Sequence, residues 1–327
     1  MSEAWRALWR GGELPAGPLD EATRRANDLP RTLTRVPGDG VTQRPVFEPA
    51  LKQYQNAYRA TDPVFADPAR GEAWRTARRA ALHQVLAAIA DSEWAEALVL
   101  RGSVLMSVWF GEAARDPGDL DFVVVPADRG IEEERTALML DGVARASEAR
   151  PGEVRFSARD AVTEDIWTYD RVPGRRTVLP WSAPGLPGGH VQLDFVFNER
   201  LPEEPEPLEL PGGTVLRAAT PGLSLAWKLM WLLTDLHPQG KDLYDAVLLA
   251  ERHPLSHALL QRVMRESGEW PDASLERPVP LTEVGRAAGD VEWHHFATEY
   301  PRFTGREREF ADRLVRAVAA AFPAEAG

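Results

Sequence analysis

The stretch LVLRGSVLMSVWFGEAARDPGDLDFVVV, residues 98–125, consists of three apolar runs separated by Gly102-Ser103 and by Asp119-Leu-Asp121. The first run, taken with Glu96 and Ala97, reads as a short buried strand, and the second, opened by Ser103, as a helix to about Trp109. Residues 119–125 then read as a second strand, ended by Pro126. Residues i and i+2 of a strand point to the same face, so Asp119 and Asp121 converge and repel each other unless a positive charge sits between them. A divalent cation is the simplest such charge.

Working outward, the same question arises at Asp194, the only charge in VQLDFVF, residues 191–197. A carboxylate inside an apolar strand is costly to bury unless it is paired, hydrogen-bonded or bound to metal. If its strand lies beside that of Asp121, three carboxylates meet, an arrangement that holds a pair of Mg²⁺ ions for in-line phosphoryl chemistry. Gly102 lets the backbone approach a phosphate closely. The N–H groups that open the next helix, with the Ser103 hydroxyl, suit the terminal phosphates of a nucleotide. Plainer roles also fit Ser103, as a helix N-cap, and Asp119, as a turn residue in DPGD. Asp121 and Asp194 resist such roles, because each interrupts an apolar strand.

Around this centre the chain divides into four stretches. Residues 1–70 are rich in Pro, Gly and Arg and read as an extension wrapped on the main body, with helical patterns near DEATRRANDL and EPALKQYQNAYRA. Residues 71–200 form the core, opened by an amphipathic helix in which Trp74, Ala77, Ala81, Val85, Ala88 and Ile89 share a face. A further helix over IEEERTALMLDGVARASEA is followed by the period-2 segments EVRFS, DIWTYDRV and RRTVLPW, then the strand GHVQLDFVF. LPEEPEPLELPGG, residues 201–213, is acidic, Pro-rich and without apolar periodicity, and reads as a linker. Residues 214–327 read as all-helical: TPGLSLAWKLMWLLTDL with a Thr cap and Pro in the first turn, GKDLYDAVLLAERH, and helices at about 255–267 and 306–322.

Two of these helices carry isolated charges. Lys228 shares a face with Leu225 and Leu232, so it points inward or along a cleft, holding a ligand or snorkelling to water. Asp242, one position from the start of its helix, favours the N-terminal dipole, and Asp245 lies one turn later on the same side. The pair faces either Lys228 or the base and sugar of a nucleotide, while Lys241 is a solvated charge or a phosphate contact.

The whole chain has 327 residues, 44% hydrophobic, which is ample for a globular core. With no Cys there is neither a disulfide framework nor a thiolate metal site. The N-terminus lacks a basic segment followed by an apolar one, and no run approaches the ~18 apolar residues of a membrane span. A cytoplasmic protein without a membrane partner is expected. A net charge of −12, from 38 Lys+Arg against 50 Asp+Glu, argues against a broad electrostatic grip on nucleic acid but leaves a local basic groove open. Neither G-x-x-x-x-G-K-[ST] nor H-E-x-x-H occurs, GLSLA at 222–226 breaks G-x-S-x-G, and His294-His295 has no spaced partner.

The order of a Gly-Ser turn, an acidic-x-acidic pair opening the next strand and a third acid on a later strand resembles the nucleotidyltransferase fold shared with DNA polymerase β. More narrowly, the chain is similar to the AbiEii/AbiGii toxins of abortive-infection and type IV toxin–antitoxin systems. The similarity spans roughly residues 80–252 and rests also on LAWKLMWLL and GKDLYDAVLL, which supply Lys228, Lys241, Asp242 and Asp245. Two departures are Ser103, where many relatives have Gly-Thr, and Thr234 or Asp235, where an Arg commonly follows the helix Lys.

The resemblance implies an α/β (α+β) nucleotidyltransferase fold: a small mixed β-sheet flanked by helices, then a helical C-terminal domain, with NTP and Mg²⁺ (or Mn²⁺) in the cleft between. It implies that Asp119, Asp121 and Asp194 ligate metal, Asp194 alternatively acting as general base. Gly102, Ser103, Lys228 and Lys241 would hold phosphates, Lys228 and Asp242 would join the catalytic group, and Asp245 would contact the nucleotide. The implied reaction moves NMP from NTP to an acceptor hydroxyl, in some relatives a tRNA 3′ end, with growth arrest as the outcome and a cognate antitoxin as partner. A small-molecule or protein hydroxyl as acceptor, or a regulator that binds nucleotide without turnover, are the alternatives; the third acid argues against the last.

Overall fold

The computed structural model describes residues 12–15, 19–169, 172–268 and 278–322. The reading of residues 1–11, and of Asp170-Arg171 inside DIWTYDRV, lies outside them. The extension carries α1 (Glu21–Ala26), β1 (Val41–Thr42), β2 (Pro45–Phe47), β3 (Tyr58–Ala60) and β4 (Val64–Phe65). A helix over EPALKQYQNAYRA does not form: Pro49–Leu51 makes one 3₁₀ turn, and β3 pairs antiparallel with β2. The backbone donors of that segment turn back on the segment itself or reach the neighbouring part of the extension. Glu48 N–H donates to the Ala57 carbonyl at 2.8 Å and Gln55 N–H to the Asp28 carboxylate at 2.7 Å. Leu51 and Ala57 bury against Ile166 rather than along a helix face. Local periodicity yields here to tertiary partners.

The core begins with α2 (Pro68–Ala90), capped by Asp67, which accepts from Ala69 N–H, and continues through β5 (Leu98–Arg101), α3 (Ser103–Phe110) and β6 (Leu120–Val124). It goes on through α4 (Glu134–Ala149), β7 (Arg155–Phe156), β8 (Val162–Tyr169), β9 (Val172–Ser182) and β10 (Gly189–Val196). Each overlaps the segment that the periodicity marks, but β8 begins three residues before DIWTYDRV (residues 165–172), whose last residue, Val172, already belongs to β9. The expected linker does not stay irregular: β11 (Glu206–Glu209) and β12 (Val215–Ala218) form an antiparallel hairpin, and β12 joins β5 in parallel. β11 is the edge strand and is largely exposed, so no face of it needs apolar residues; its Glu and Pro residues are those that blunt an edge.

The resulting sheet is mixed, in the order β11-β12-β5-β6-β10-β9-β7, with β8 also on β9. The stretch 214–327 is therefore not all-helical, since its first element is a strand. Helices follow: α5 (Pro221–Thr234), α6 (Gly240–Arg252), α7 (His257–Ser267), α8 (Leu281–Gly289), α9 (Trp293–Glu299) and α10 (Glu307–Val318). Thr220 caps α5, its hydroxyl accepting from Leu223 N–H at 3.0 Å with Pro221 in the first turn, as the sequence predicts. α8 and α9 have no counterpart in the sequence reading. One apolar core runs from Trp74 in α2 through Phe122 and Phe195 of the sheet to Leu314 in α10.

Candidate active site

β6 and β10 pair in parallel, with Asp194 directly opposite Asp121. Arg101 of β5 stands opposite Asp121 on its other side, Arg176 of β9 opposite Asp194, and Glu164 of β8 opposite Arg176. Directly opposed residues share a face, so a row of five charges, Arg101, Asp121, Asp194, Arg176 and Glu164, crosses the sheet. Asp119, just before β6, joins it from the side. One carboxylate oxygen from each of Asp119, Asp121 and Asp194 lies within 4.8 Å of the others.

Gly102 has φ +80°, and a Cβ there would press into the Asp121 carboxylate. The turn thus brings its backbone against the acids. Gly102, not Ser103, occupies the N-cap of α3, which leaves the Ser103 hydroxyl to donate to Asp119 Oδ1 at 3.3 Å. Both residues line a cavity of about 520 Å³ together with the three acids, Lys228, Lys241 and Asp242.

The electrostatics of the acids differ. Burial, with Asp119 and Asp194 as like-charged neighbours, raises the Asp121 pKa to about 7. Burial also works against the Asp119 charge, yet Lys241, Arg115, Arg176 and Arg59 hold its carboxyl below the usual range. Burial raises Asp194 against the pull of Arg176. Carboxylates this close cannot all ionise freely without added positive charge, so the donor set fits a hard divalent cation.

Arg176 was not legible as a site residue, yet it meets Asp194 as a fork: Nε donates to Oδ1 at 2.9 Å and Nη2 to Oδ2 at 2.8 Å. Arg101 is likewise buried and pairs with Glu199 at 2.6 Å. Lys228 points inward, its Nζ 2.7 Å from Asp242 Oδ1 and 3.2 Å from Asp245 Oδ2. Asp245, expected at the nucleotide, is wholly buried away from the cavity wall, where Arg115 donates to both its oxygens. Lys228, one of the two partners the sequence leaves open for the Asp242–Asp245 pair, lies between them. The fourth wall comes from the extension, through Glu48 and Arg59.

A search of solved structures finds JHP933 from Helicobacter pylori, 18% identical with a TM-score of 0.44, over 76% of this chain and 91% of that one. It also finds MenT4, the nucleotidyltransferase toxin Rv2826c from Mycobacterium tuberculosis H37Rv, 18% identical with a TM-score of 0.44, over 77% of this chain and 95% of that one. No curated protein matches the chain significantly. A family model matches residues 84–321, a span that takes in the glycine turn, all three clustered acids and the Lys228 pairings. By that match the chain belongs to the nucleotidyl transferase AbiEii toxins of type IV toxin–antitoxin systems.

Proposed function

We propose that this nucleotidyltransferase moves a nucleoside monophosphate from an NTP to an acceptor hydroxyl, with release of pyrophosphate, in the cleft where Asp119, Asp121 and Asp194 meet. The convergence of three carboxylate oxygens within 4.8 Å, against a glycine turn, carries the reading. Asp119, Asp121 and Asp194 would hold Mg²⁺ or Mn²⁺, which when bound supplies positive charge to the phosphates of the nucleotide. The N–H groups opening α3, with the Ser103 hydroxyl, hold the terminal phosphates. Lys241 adds charge from α6, and Lys228 faces the triphosphate together with its partner Asp242. Asp194, oriented by the Arg176 fork and raised by burial, would alternatively serve as the general base that takes the proton of the acceptor hydroxyl.

The family resemblance supports a tRNA 3′ end as acceptor and a cognate antitoxin as partner. The net charge of −12 favours a small-molecule or protein hydroxyl instead. Among the described residues no helix is long and apolar enough to cross a membrane, and we place the reaction in the cytoplasm. Incubation of the protein with each α-labelled NTP, Mg²⁺ and total tRNA tests the reading and identifies the acceptor by where label appears. Asp121→Asn, which removes charge without changing volume, should fold normally and transfer label only at background. Transfer at the wild-type rate by a folded Asn variant would remove the cation-binding carboxylates from the reaction.

A further inference from the structure

The segment that closes the cleft from the extension side lies outside the family match, which begins at residue 84. Glu48 follows β2 directly and is 8% exposed. Its backbone N–H is fixed on the Ala57 carbonyl, and its carboxylate is held between two cations: Oε2 is 3.0 Å from Arg59 Nε and Oε1 is 3.8 Å from Arg176 Nη2. Arg59 in turn reaches Glu299 of α9, with Nη2 3.6 Å from Oε1. Burial pushes the Glu48 carboxyl up, but Arg176 and Arg59 hold it below the ordinary value, so it stands there as a carboxylate.

The position of Arg176 gives this a purpose. Its fork occupies both oxygens of Asp194, and its positive charge opposes any cation that approaches the same carboxylate. A second carboxylate behind the guanidinium shares that charge and leaves Asp194 more negative toward the cleft. It also limits how far Arg176 can swing.

We infer that Glu48 is a positioning residue for the third carboxylate: it holds and partly neutralises Arg176, and through Arg176 it sets the affinity of the acidic cluster for a divalent cation. The inference rests on the cleft being a divalent-cation site. It assigns the extension a part in the reaction centre rather than only in the wall.

Titration of Mn²⁺ into the full chain, followed by the electron paramagnetic resonance signal of the free ion, tests it. In Glu48→Gln both arginines keep a carboxylate partner, Arg59 with Glu299 and Arg176 with Asp194, so the metal-free melting temperature should move little. Mn²⁺ affinity should fall by up to about 10-fold, below the loss seen when a group bonded directly to a metal ligand is removed, because Glu48 acts through Arg176. Wild-type affinity in a folded Glu48→Gln protein overturns the inference and leaves the cation site standing. Absence of Mn²⁺ binding by the wild type overturns both. If the Gln variant does not fold, Glu48→Asp keeps the charge but shortens its reach to Arg176, and Mn²⁺ affinity should fall by a smaller factor; wild-type affinity in that variant overturns the inference.

Discussion

At the residue scale, Asp121 is a group whose protonation the fold changes. Its pKa moves from the ordinary 3.8 to about 7, so below pH 4 the folded and unfolded chains are both protonated there and the contribution to stability is fully present. Above that the unfolded chain gives up its proton first, and stability is lost as pH rises through 7. His190 runs the other way: burial, with Arg78 nearby, lowers it to about 4, so its contribution is present above 6.5 and lost as pH falls toward 4. The two oppose each other in the metal-free protein. A bound cation favours the ionised Asp121, so the rise in melting temperature on adding Mg²⁺ should grow from pH 5 to pH 8 with a midpoint near 7 and lose that dependence in Asp121→Asn. Differential scanning fluorimetry across this range measures it, and a pH-independent rise would contradict the assignment. Asp121 and Asp194 were legible because a lone charge in an apolar strand demands a partner. Arg176 was not, because GRRTVLPW offers two adjacent arginines and only the pairing of β9 tells them apart: Arg175 turns outward to Asp165 and Glu132, Arg176 inward to Asp194.

At the scale of elements, α5 and α6 are joined by a buried ionic cluster rather than by apolar packing alone. Lys228 of α5 sits between Asp242 and Asp245 of α6, and Arg115, from the loop before β6, closes on Asp245. Lys228→Met keeps the apolar stem but leaves Asp242 without its hydrogen-bonded cation. Removing one partner from a buried pair costs roughly 3–5 kcal/mol, so urea denaturation should show a loss of that order. A loss below about 1 kcal/mol, the level of an exposed ion pair, would show that water reaches the cluster. Helices with strong caps and periodic faces, such as α2 and α5, were readable from sequence. β11 was not, since an edge strand that faces water leaves no apolar signal, and the 48–60 segment was misread because its Leu51, Tyr54 and Ala57 spacing mimics a helix while Ile166 and Asn27 supply its real partners.

At the scale of the whole molecule, the acidic cluster exists because β10 skips back past three intervening strands to lie beside β6 in parallel. Sequence order alone supplies the two acidic strands but not their adjacency. The register that sets Asp194 opposite Asp121 supplies that adjacency. The extension was legible only as a wrapping. Its contribution of Glu48 and Arg59 to the cleft depends on the 3₁₀ turn Pro49–Leu51 resting on β8 and on Arg59 reaching α9, which no local pattern encodes.

The close approach of Gly102 to Asp121 has a genetic counterpart. Every single-base change in a glycine codon that encodes a different amino acid adds a Cβ, and at Gly102 a Cβ would strike the Asp121 carboxylate of the proposed reaction centre. At Asp121 itself a one-base change can still give Glu and keep the charge. If the chain arrests growth, as its family membership implies, codon 102 is a one-step escape route for a cell forced to express it. Survivors selected from a randomly mutated library should carry chemically unrelated substitutions there, small and large alike, in protein that still accumulates as a folded chain, though it melts below the wild-type temperature. A Gly102→Ala protein that still arrests growth would show that the turn tolerates a side chain after all.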